Sequence, residues 1–301
     1  MKKDSQKNKN SKLKLYVTGL CMGTADLVPG VSGGTVALLF GIYSELLHSI
    51  TVVTGKFPKQ MLRGDIKKAF HIIPFAFLLP LFAGIITAIF ALVGVITYLL
   101  DNQPVFIWSL FFGLVFGSVL IISKRITWEP KYFLIFVTSS VVTFWILSIT
   151  PLNGAESSVA FFITGMIAIV AMILPGISGS LIMVLLGQYK NVINAVSERN
   201  ISEMVYFVSG AIIGLALFSH LLKWLLNNYY NYVIAVLIGL MLGSLRKLWP
   251  WQVELSSGAT EYFMPESVSS VLLALIIFVV GVVFVLFLEK RVLSKNNYKQ
   301  L

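Results

Sequence analysis

The chain carries one short motif twice, and the residues in this motif are suited to holding an anion. The first copy runs from Pro29 to Thr35 with the sequence PGVSGGT, and the second runs from Pro175 to Leu181 with the sequence PGISGSL. Proline lacks a backbone N–H and glycine tolerates positive φ, so each copy predicts that one helix ends and another begins. A helix that begins in apolar surroundings presents free N–H groups and a partial positive charge. The motif therefore predicts a site for an anionic or strongly polar group.

Backbone amides and hydroxyl groups in both copies can donate to phosphate or carboxylate oxygens. The serine of each copy stands where the N-cap of the new helix is expected. The candidate binding residues are Gly30, Ser32, Gly33, Gly34 and Thr35 in the first copy and Gly176, Ser178, Gly179 and Ser180 in the second. The alternative is a structural kink without a ligand. A single copy would favour the kink, whereas two copies support a duplicated substrate site about as well as duplicated architecture alone.

Two acidic residues flank the first copy within apolar sequence. Asp26 precedes the motif and Glu45 follows it. A carboxylate inside a membrane is costly and is by default a functional candidate, so both are predicted to take up H⁺ or Na⁺ as coupling residues. The alternatives are a local cap of the break for Asp26 and an interfacial position for Glu45. Met172 and Asn191 occupy the equivalent positions of the second copy, so a coupling role would be asymmetric.

A tyrosine follows each motif at the same distance. Tyr43 and Tyr189 each lie eleven residues beyond the motif serine. Eleven residues are close to three turns of an α-helix, which predicts that each tyrosine faces the same side as its serine and can line a path. Anchoring of the aromatic rings at a membrane interface is the favoured alternative.

The composition is that of an integral membrane protein. Of the 301 residues, 57% are hydrophobic and 12% are charged, whereas a soluble domain has about 25% charged residues. The formal net charge is +10, but basic residues of membrane proteins are topology determinants first, so no nucleic-acid partner is predicted. Cys21 is the only cysteine, which excludes an intrachain disulfide, and the three histidines lack metal-ligand spacing. No metal or organic cofactor is predicted, and nothing in the sequence indicates an oligomeric state.

The elements that position the motifs are predicted to be helices. No segment alternates as the strands of a membrane barrel would, so the expected fold is an all-α integral membrane protein. The apolar segments fall at 13–28, 31–54, 70–100, 104–123 and 131–150, and again at 158–174, 177–196, 204–226, 231–248 and 267–289. The segments beside the motifs are marginal for the about 20 residues that a full span needs, and the others are long enough.

The duplication extends beyond the motif. The motifs are 146 residues apart, whereas residues 112–118 (FGLVFGS) and 238–244 (IGLMLGS) are 126 apart. The change of offset predicts about twenty extra residues in the first half, between Tyr43 and Leu81, where a basic linker lies. The glycines of the later segments are predicted to let helices pack closely.

Each half is thus predicted to contain a Pro-Gly-broken helix pair, re-entrant or made of two short spans, followed by three transmembrane helices. The predicted units are a basic tail at 1–12, a first repeat at 13–150, a second repeat at 151–292 and a basic tail at 293–301. If each broken pair crosses the membrane an even number of times, 19 of the 23 Lys and Arg residues lie inside, as the positive-inside rule requires. Each half then crosses an odd number of times, which predicts inverted repeats of the kind found in secondary transporters, with both termini cytoplasmic.

The stretch from Ala25 to Thr35 (ADLVPGVSGGT), together with the second motif, resembles the bacterial polyprenyl-phosphate transporter family. The resemblance covers about 13–293. It implies a multi-pass protein of the plasma membrane that returns undecaprenyl phosphate from the outer to the inner leaflet for cell-wall synthesis. It also implies that residues 29–35 and 175–180 hold the phosphate while the prenyl tail stays in lipid.

A second family provides a contrast. Undecaprenyl-pyrophosphate phosphatases resemble this chain in their inverted repeats, but one of their tips carries a Pro-Gly-x-Ser-Arg-Ser motif. Gly33 and Gly179 stand where that arginine would be, so the guanidinium that stabilises transferring phosphoryl oxygens is missing. An enzyme of this class is therefore a disfavoured alternative. A small-anion carrier remains an alternative, and a non-transporting assembly protein is disfavoured because it would not need two polar breaks at membrane depth.

Overall fold

The computed structural model describes residues 2–28, 31–148, 154–155, 157–254, 260–265 and 267–292. The predicted C-terminal tail at 293–301 and the predicted boundary between the repeats at 150–151 lie outside these residues. Helix α1 reaches back to Lys2, so the predicted N-terminal tail continues directly into the first helix.

Helices make up most of the described chain. The first half contains α1 (Lys2–Asp26), α2 (Gly33–Leu39), α3 (Tyr43–Thr51), a π-helical turn (Val52–Lys56), α4 (Phe57–Leu62), α5 (Ile66–Ile72), α6 (Phe75–Asn102), α7 (Pro104–Ser123) and α8 (Pro130–Ile146). The second half contains α9 (Ser158–Ile173), α10 (Gly179–Leu185), α11 (Tyr189–Ser197), α12 (Ile201–Asn228), α13 (Tyr230–Ser244), a 3₁₀ turn (Leu245–Leu248), strands β1 (Gln252–Glu254) and β2 (Thr260–Tyr262), and α14 (Val268–Val292).

Five of the described helices are long and apolar enough to cross a membrane, namely α6, α7, α12, α14, and α13 with its 3₁₀ turn. A sixth span results if α2 is joined to the segment Tyr43–Leu62, which is bent against it by 119°. Helices α2 and α10 have seven residues each, so at 1.5 Å per residue they reach only about 10 Å. The chain is therefore a multi-pass membrane protein in which the helix after each motif is too short to cross the about 30 Å hydrocarbon layer.

The expected all-α membrane fold is confirmed, since the described chain is mostly helical with several apolar spans. The apolar segments 31–54 and 177–196 do not form continuous helices, because Gly41 (φ 73°) and Gly187 (φ 67°) adopt left-handed backbone that ends α2 and α10. The two short strands β1 and β2, which pair antiparallel, were not expected. Each strand has only three residues, too few for an alternating pattern to be recognised in the sequence.

The predicted close packing of helices at glycines is confirmed, and equivalent contacts occur in both halves. Helix α1 packs along α6, and α9 packs along α12. A Cβ atom at Gly84 would collide with Tyr16 O, and a Cβ atom at Gly210 would collide with Phe162 O. These colliding pairs are related by the same offsets, 126 for the glycines and 146 for their partners. The offsets read from the sequence therefore recur as equivalent contacts.

The last helix of each half packs against the other half. Helix α14 lies along α7, and α8 lies along α13. A Cβ atom at Gly113 would collide with Phe278 O, and one at Gly239 would lie 2.7 Å from Phe136 O. Helices α7 and α13 are the most buried of the candidate spans, so one central helix of each half is covered by the last helix of the other half.

Filling one of the close approaches should destabilise the protein. We expect Gly84→Leu to lower the free energy of unfolding by about 1–3 kcal/mol or more, because the added side chain meets backbone that cannot rotate away. The matched control is Gly94→Leu on the same helix, since a Cβ atom at Gly94 meets nothing within 4 Å. Thermal unfolding of the purified variants in detergent would measure the difference. Equal melting temperatures for the two variants would contradict the packing described here.

Candidate functional site

The first tip, between α1 and α2, satisfies its own amides. Ser32 is the N-cap of α2, as predicted, and its Oγ accepts the N–H of Gly34 at 3.1 Å. The N–H of Gly33 donates to Asp26 Oδ1 at 2.6 Å, and the N–H of Thr35 donates to Ser32 O at 2.9 Å. These motif residues are buried except for Asp26. The amides of Gly33, Gly34 and Thr35 are therefore already occupied by protein oxygens.

The second tip, between α9 and α10, is more open. Ser178 is the N-cap of α10, as predicted, and its Oγ accepts the N–H of Leu181 at 3.2 Å. The hydroxyl of the exposed Ser180 lies 3.2 Å from that same Oγ. Within the described residues, the N–H groups of Gly179 and Ser180 have no hydrogen-bond partner. Two amides and two hydroxyls are thus grouped at one helix start.

The two tips are in direct contact. The N–H of Gly176 in the second tip donates to Thr35 Oγ1 in the first at 3.0 Å. Ser32 Oγ lies 3.4 Å from both Met172 O and Leu174 O, and its single proton can be donated to one of them at a time. The motif that the sequence repeats is therefore a meeting point of the two halves.

Tyr43 and Tyr189 do not lie on the same helices as the motif serines, although their spacing predicts this. The expectation of three continuous helical turns is wrong, because Gly41 and Gly187 end the helices before Tyr43 and Tyr189 are reached. Tyr43 is only 3% exposed, and its hydroxyl donates to Ile173 O at 3.0 Å. Tyr189 is 40% exposed, and its hydroxyl has no partner among the described residues. Tyr43 joins the two tips instead of lining an open path.

The two candidate coupling carboxylates have different surroundings. Asp26 caps the N–H of Gly33, which is the local role considered as its alternative. Glu45 lies exposed in the first turn of α3. Neither carboxylate forms an ion pair in the described part of the chain, and no group of three His, Cys, Asp or Glu there could hold a metal ion.

The remaining predicted residues divide by position. Gly30, with Pro29, lies outside the described residues. Gly176 has φ of 85°, which favours glycine, and a Cβ atom there would lie 2.8 Å from Met241 Cα. Packing against α13 is thus sufficient reason for a glycine at this position.

Comparison with known proteins places the chain in a family. Residues 22–264 match the family described as VCA0040-like, undecaprenyl phosphate translocase-like. The chain belongs to this family. The resemblance noted from the sequence is thereby confirmed.

Two similar proteins match this chain over nearly its whole length, and both are named polyprenyl-phosphate transporter. One, from Vibrio cholerae serotype O1, is 39% identical over 296 residues, covering 92% of this chain and 96% of the relative. The other, from Staphylococcus aureus, is 28% identical over 301 residues, covering 93% of this chain and 96% of the relative. No solved structure matches significantly.

Arg125 is a residue of this translocase-like protein that sequence reasoning treated only as a topology charge. Its Nη1 donates to Leu38 O at 2.9 Å and its Nη2 donates to Leu39 O at 2.8 Å. The guanidinium thus satisfies carbonyls at the C-terminus of α2, where the helix dipole favours a cation. Arg125 also lines a cleft enclosing about 270 Å³, part of it open to the surroundings, together with Ser44 and Tyr230.

The contact between the tips can be tested at Tyr43. We expect Tyr43→Phe to lower the free energy of unfolding by about 1–3 kcal/mol, because a buried carbonyl loses its donor. Tyr189→Phe removes the equivalent hydroxyl of the second half, which has no partner, and should leave stability unchanged. Thermal unfolding in detergent would compare the two, and an equal effect of both substitutions would argue against the contact.

Proposed function

We propose that this protein is a flippase that returns undecaprenyl phosphate, or a similar polyprenyl phosphate, from the outer to the inner leaflet of the bacterial plasma membrane. The returned lipid would serve again as a carrier in cell-wall polymer synthesis. The names of the two relatives support a polyprenyl-phosphate substrate, and the five to six candidate spans support a membrane transporter. The observation that carries the proposal is the direct contact of the two tips beside unpaired amides of the second.

The membrane arrangement that we propose is a pair of inverted repeats with both termini in the cytoplasm. The pairing of α1 with α6 and of α9 with α12 supports a repeat, as do the matched glycine contacts. The charge distribution supports the inversion, since it keeps most Lys and Arg residues on the cytoplasmic side.

The second tip is the part best suited to hold the headgroup. The N–H groups of Gly179 and Ser180 and the hydroxyls of Ser178 and Ser180 would donate to the phosphate oxygens. The prenyl tail would remain in lipid. The first tip has a different task in this scheme, because its described amides are occupied and its side chains hold the second tip in place.

Coupling to H⁺ or Na⁺ would operate through Asp26. The carboxylate accepts the N–H of Gly33 and so closes the first tip. Protonation or Na⁺ binding would weaken that bond and loosen the first tip, which holds the second tip in place. Alternating access around the paired tips would then depend on the state of this one carboxylate.

A phosphatase-like enzyme is not proposed, because glycines stand at the positions of its motif arginine and other side chains occupy the space beside them. A Cβ atom at Gly33 would lie 2.7 Å from Asp26 Oδ2, and one at Gly179 would lie 2.7 Å from Met172 Cγ. A guanidinium could not be added at either position without displacing these groups.

The headgroup site is tested by removing both hydroxyls of the second tip. Protein in vesicles should move a polyprenyl phosphate between leaflets, measured by the access of an added soluble phosphatase to the lipid phosphate. We expect Ser178→Ala with Ser180→Ala to lower this rate by about a hundredfold or more, because hydrogen bonds to a charged group contribute about 1.5–3 kcal/mol each. Ser32→Ala with Ser178→Ala should also lower it while leaving expression intact.

The matched control is Ser267→Ala with Ser269→Ala, an exposed serine pair of the same spacing with hydroxyls 3.1 Å apart. It should transport at the wild-type rate. If wild-type protein moves no more lipid than protein-free vesicles do, the proposed function is wrong.

The coupling role of Asp26 is tested by Asp26→Asn. The amide oxygen can still accept the N–H of Gly33, so the tip should fold, but the group can no longer carry a proton or bind Na⁺ as a carboxylate does. We expect transport to lose its response to an imposed pH or Na⁺ gradient. Glu45→Gln is measured alongside as the second candidate, and Glu129→Gln is the control, since Glu129 pairs with Lys131 at the surface. A gradient response that survives in Asp26→Asn would leave Asp26 as a cap only.

A further inference from the structure

The first half contains a segment that the second half lacks. Between the end of α3 at Thr51 and the start of α6 at Phe75 lie the π-helical turn, α4 and α5. The equivalent helices of the second half are almost contiguous, since α11 ends at Ser197 and α12 begins at Ile201. The predicted insertion of about twenty residues is confirmed at this place. Because the repeated fold forms without it in the second half, the segment has a task of its own.

The surface of this segment combines positive charge with exposed apolar side chains. Its basic residues are Lys56, Lys59, Arg63, Lys67 and Lys68. Leu62 and Ile66 are 90% and 57% exposed. Basic and apolar side chains together are typical of helices that lie at a membrane surface and attract anionic headgroups.

Where the segment begins, α3 and α12 bring polar groups together. Lys223 Nζ of α12 lies 2.6 Å from His48 Nδ1 and 3.4 Å from Thr51 Oγ1 of α3. A lysine ammonium has donors only, so His48 accepts at Nδ1 and carries its proton on Nε2. The charge of Lys56, at the end of the π-helical turn, acts on both His48 and Lys223. We call these four residues the cationic cluster.

No carboxylate neutralises the cationic cluster within the described chain. The ion pairs there involve Lys68, Lys124 and Lys131. Glu45 lies one turn before His48 on α3 and forms no ion pair. His48 and Lys56 are exposed and Lys223 is half-buried, so an anion can reach the donors.

The second half has no such cluster. By the offsets of the duplication, Asn194 corresponds to His48, Ser197 to Thr51 and Thr97 to Lys223. These counterparts are uncharged.

We propose that the cationic cluster of His48, Thr51, Lys56 and Lys223 is a second binding site for a phosphomonoester headgroup, at the membrane surface. The proposal rests on the proposed function and extends it, because it gives the headgroup a place to arrive after it leaves the tips. Lys223 Nζ and His48 Nε2–H would donate to the phosphate oxygens, and no bond is made or broken.

The position of the cluster along α3 agrees with this role. Tyr43 at the start of α3 contacts the second tip, and the cluster begins with His48 five residues further on and ends with Lys56 after thirteen. At 1.5 Å per residue the cluster extends from about 8 to about 20 Å along this path, across the about 15 Å from the bilayer centre to the hydrocarbon boundary. A headgroup moving from the tips to the cluster would thus travel from the membrane interior to its surface. The basic linker belongs to the cytoplasmic side by the charge rule, so this surface is the inner one.

Binding to the cluster is measured on the full-length protein in detergent, in the Ser178→Ala/Ser180→Ala background, so that the tip contributes little. The probes are radiolabelled farnesyl phosphate and, separately, inorganic phosphate. We expect Lys223→Gln to weaken farnesyl phosphate binding about tenfold, the loss of one charge-assisted hydrogen bond. Lys223→Arg should retain binding, and higher ionic strength should weaken it.

The control is Lys190→Gln on α11, which removes the same charge from the helix equivalent to α3 and should leave binding unchanged. Size-exclusion profiles and melting temperatures would establish that the variants fold. Wild-type affinity in Lys223→Gln would overturn the proposal. Inorganic phosphate that binds as tightly as farnesyl phosphate would assign the site to the free anion and overturn its place in lipid movement.

The vesicle assay separates this proposal from the proposed function. A wild-type protein that does not move lipid between leaflets would remove the flippase and, with it, the delivery role of the cluster. If the wild-type protein moves lipid and Lys223→Gln moves it equally fast with unchanged binding, the cluster proposal alone fails.

Discussion

A helix that stops among apolar groups must find partners for the amides and carbonyls that it frees, because an unpaired polar group there costs several kcal/mol. In this protein some of these partners are local and others come from the opposite half. Thr35 accepts from Gly176, and Tyr43 donates to Ile173. These bonds across the halves hold the two motifs at one point.

The two halves fulfil this requirement unequally. The first tip is closed by its own Asp26 and Ser32, whereas the second keeps the N–H groups of Gly179 and Ser180 unpaired within the described chain. If both tips were closed, their contact would have only a structural role. A closed tip holding an open one leaves donors available at a fixed position, which is the arrangement that binding of an oxyanion requires. The basic insertion after α3, which also belongs to the first half, is a second difference between the two halves.

The parts of the fold that the sequence predicted depend on local chemistry or on repetition. The caps at Ser32 and Ser178 follow from the residue type beside a break, and the insertion follows from a change in offset. The helix ends at Gly41 and Gly187 could not be predicted, because a glycine in an apolar run is equally expected at a close helix contact, as at Gly84. A glycine that ends a helix and a glycine at a close helix contact differ only in backbone conformation.

The contacts that define the site join residues far apart in the chain. Arg125 reaches Leu38 O across 87 positions, and Lys223 reaches His48 across 175. No spacing or periodicity in the sequence predicts such pairs. A lysine or arginine near a helix end is explained equally well by the positive-inside rule. Only the folded arrangement shows that Arg125 closes α2 and that no acid among the described residues pairs with Lys223.

The exchange of last helices between the halves limits how the protein can move. Because α14 lies along α7 and α8 lies along α13, neither half can tilt as an independent block without pulling apart contacts in which glycine leaves no slack. These four helices form one frame, and the pairs α1–α6 and α9–α12, each of which carries one tip, lie outside it. A movement of the tips relative to the frame would therefore take place between the frame and these pairs, and not at the boundary between the two repeats.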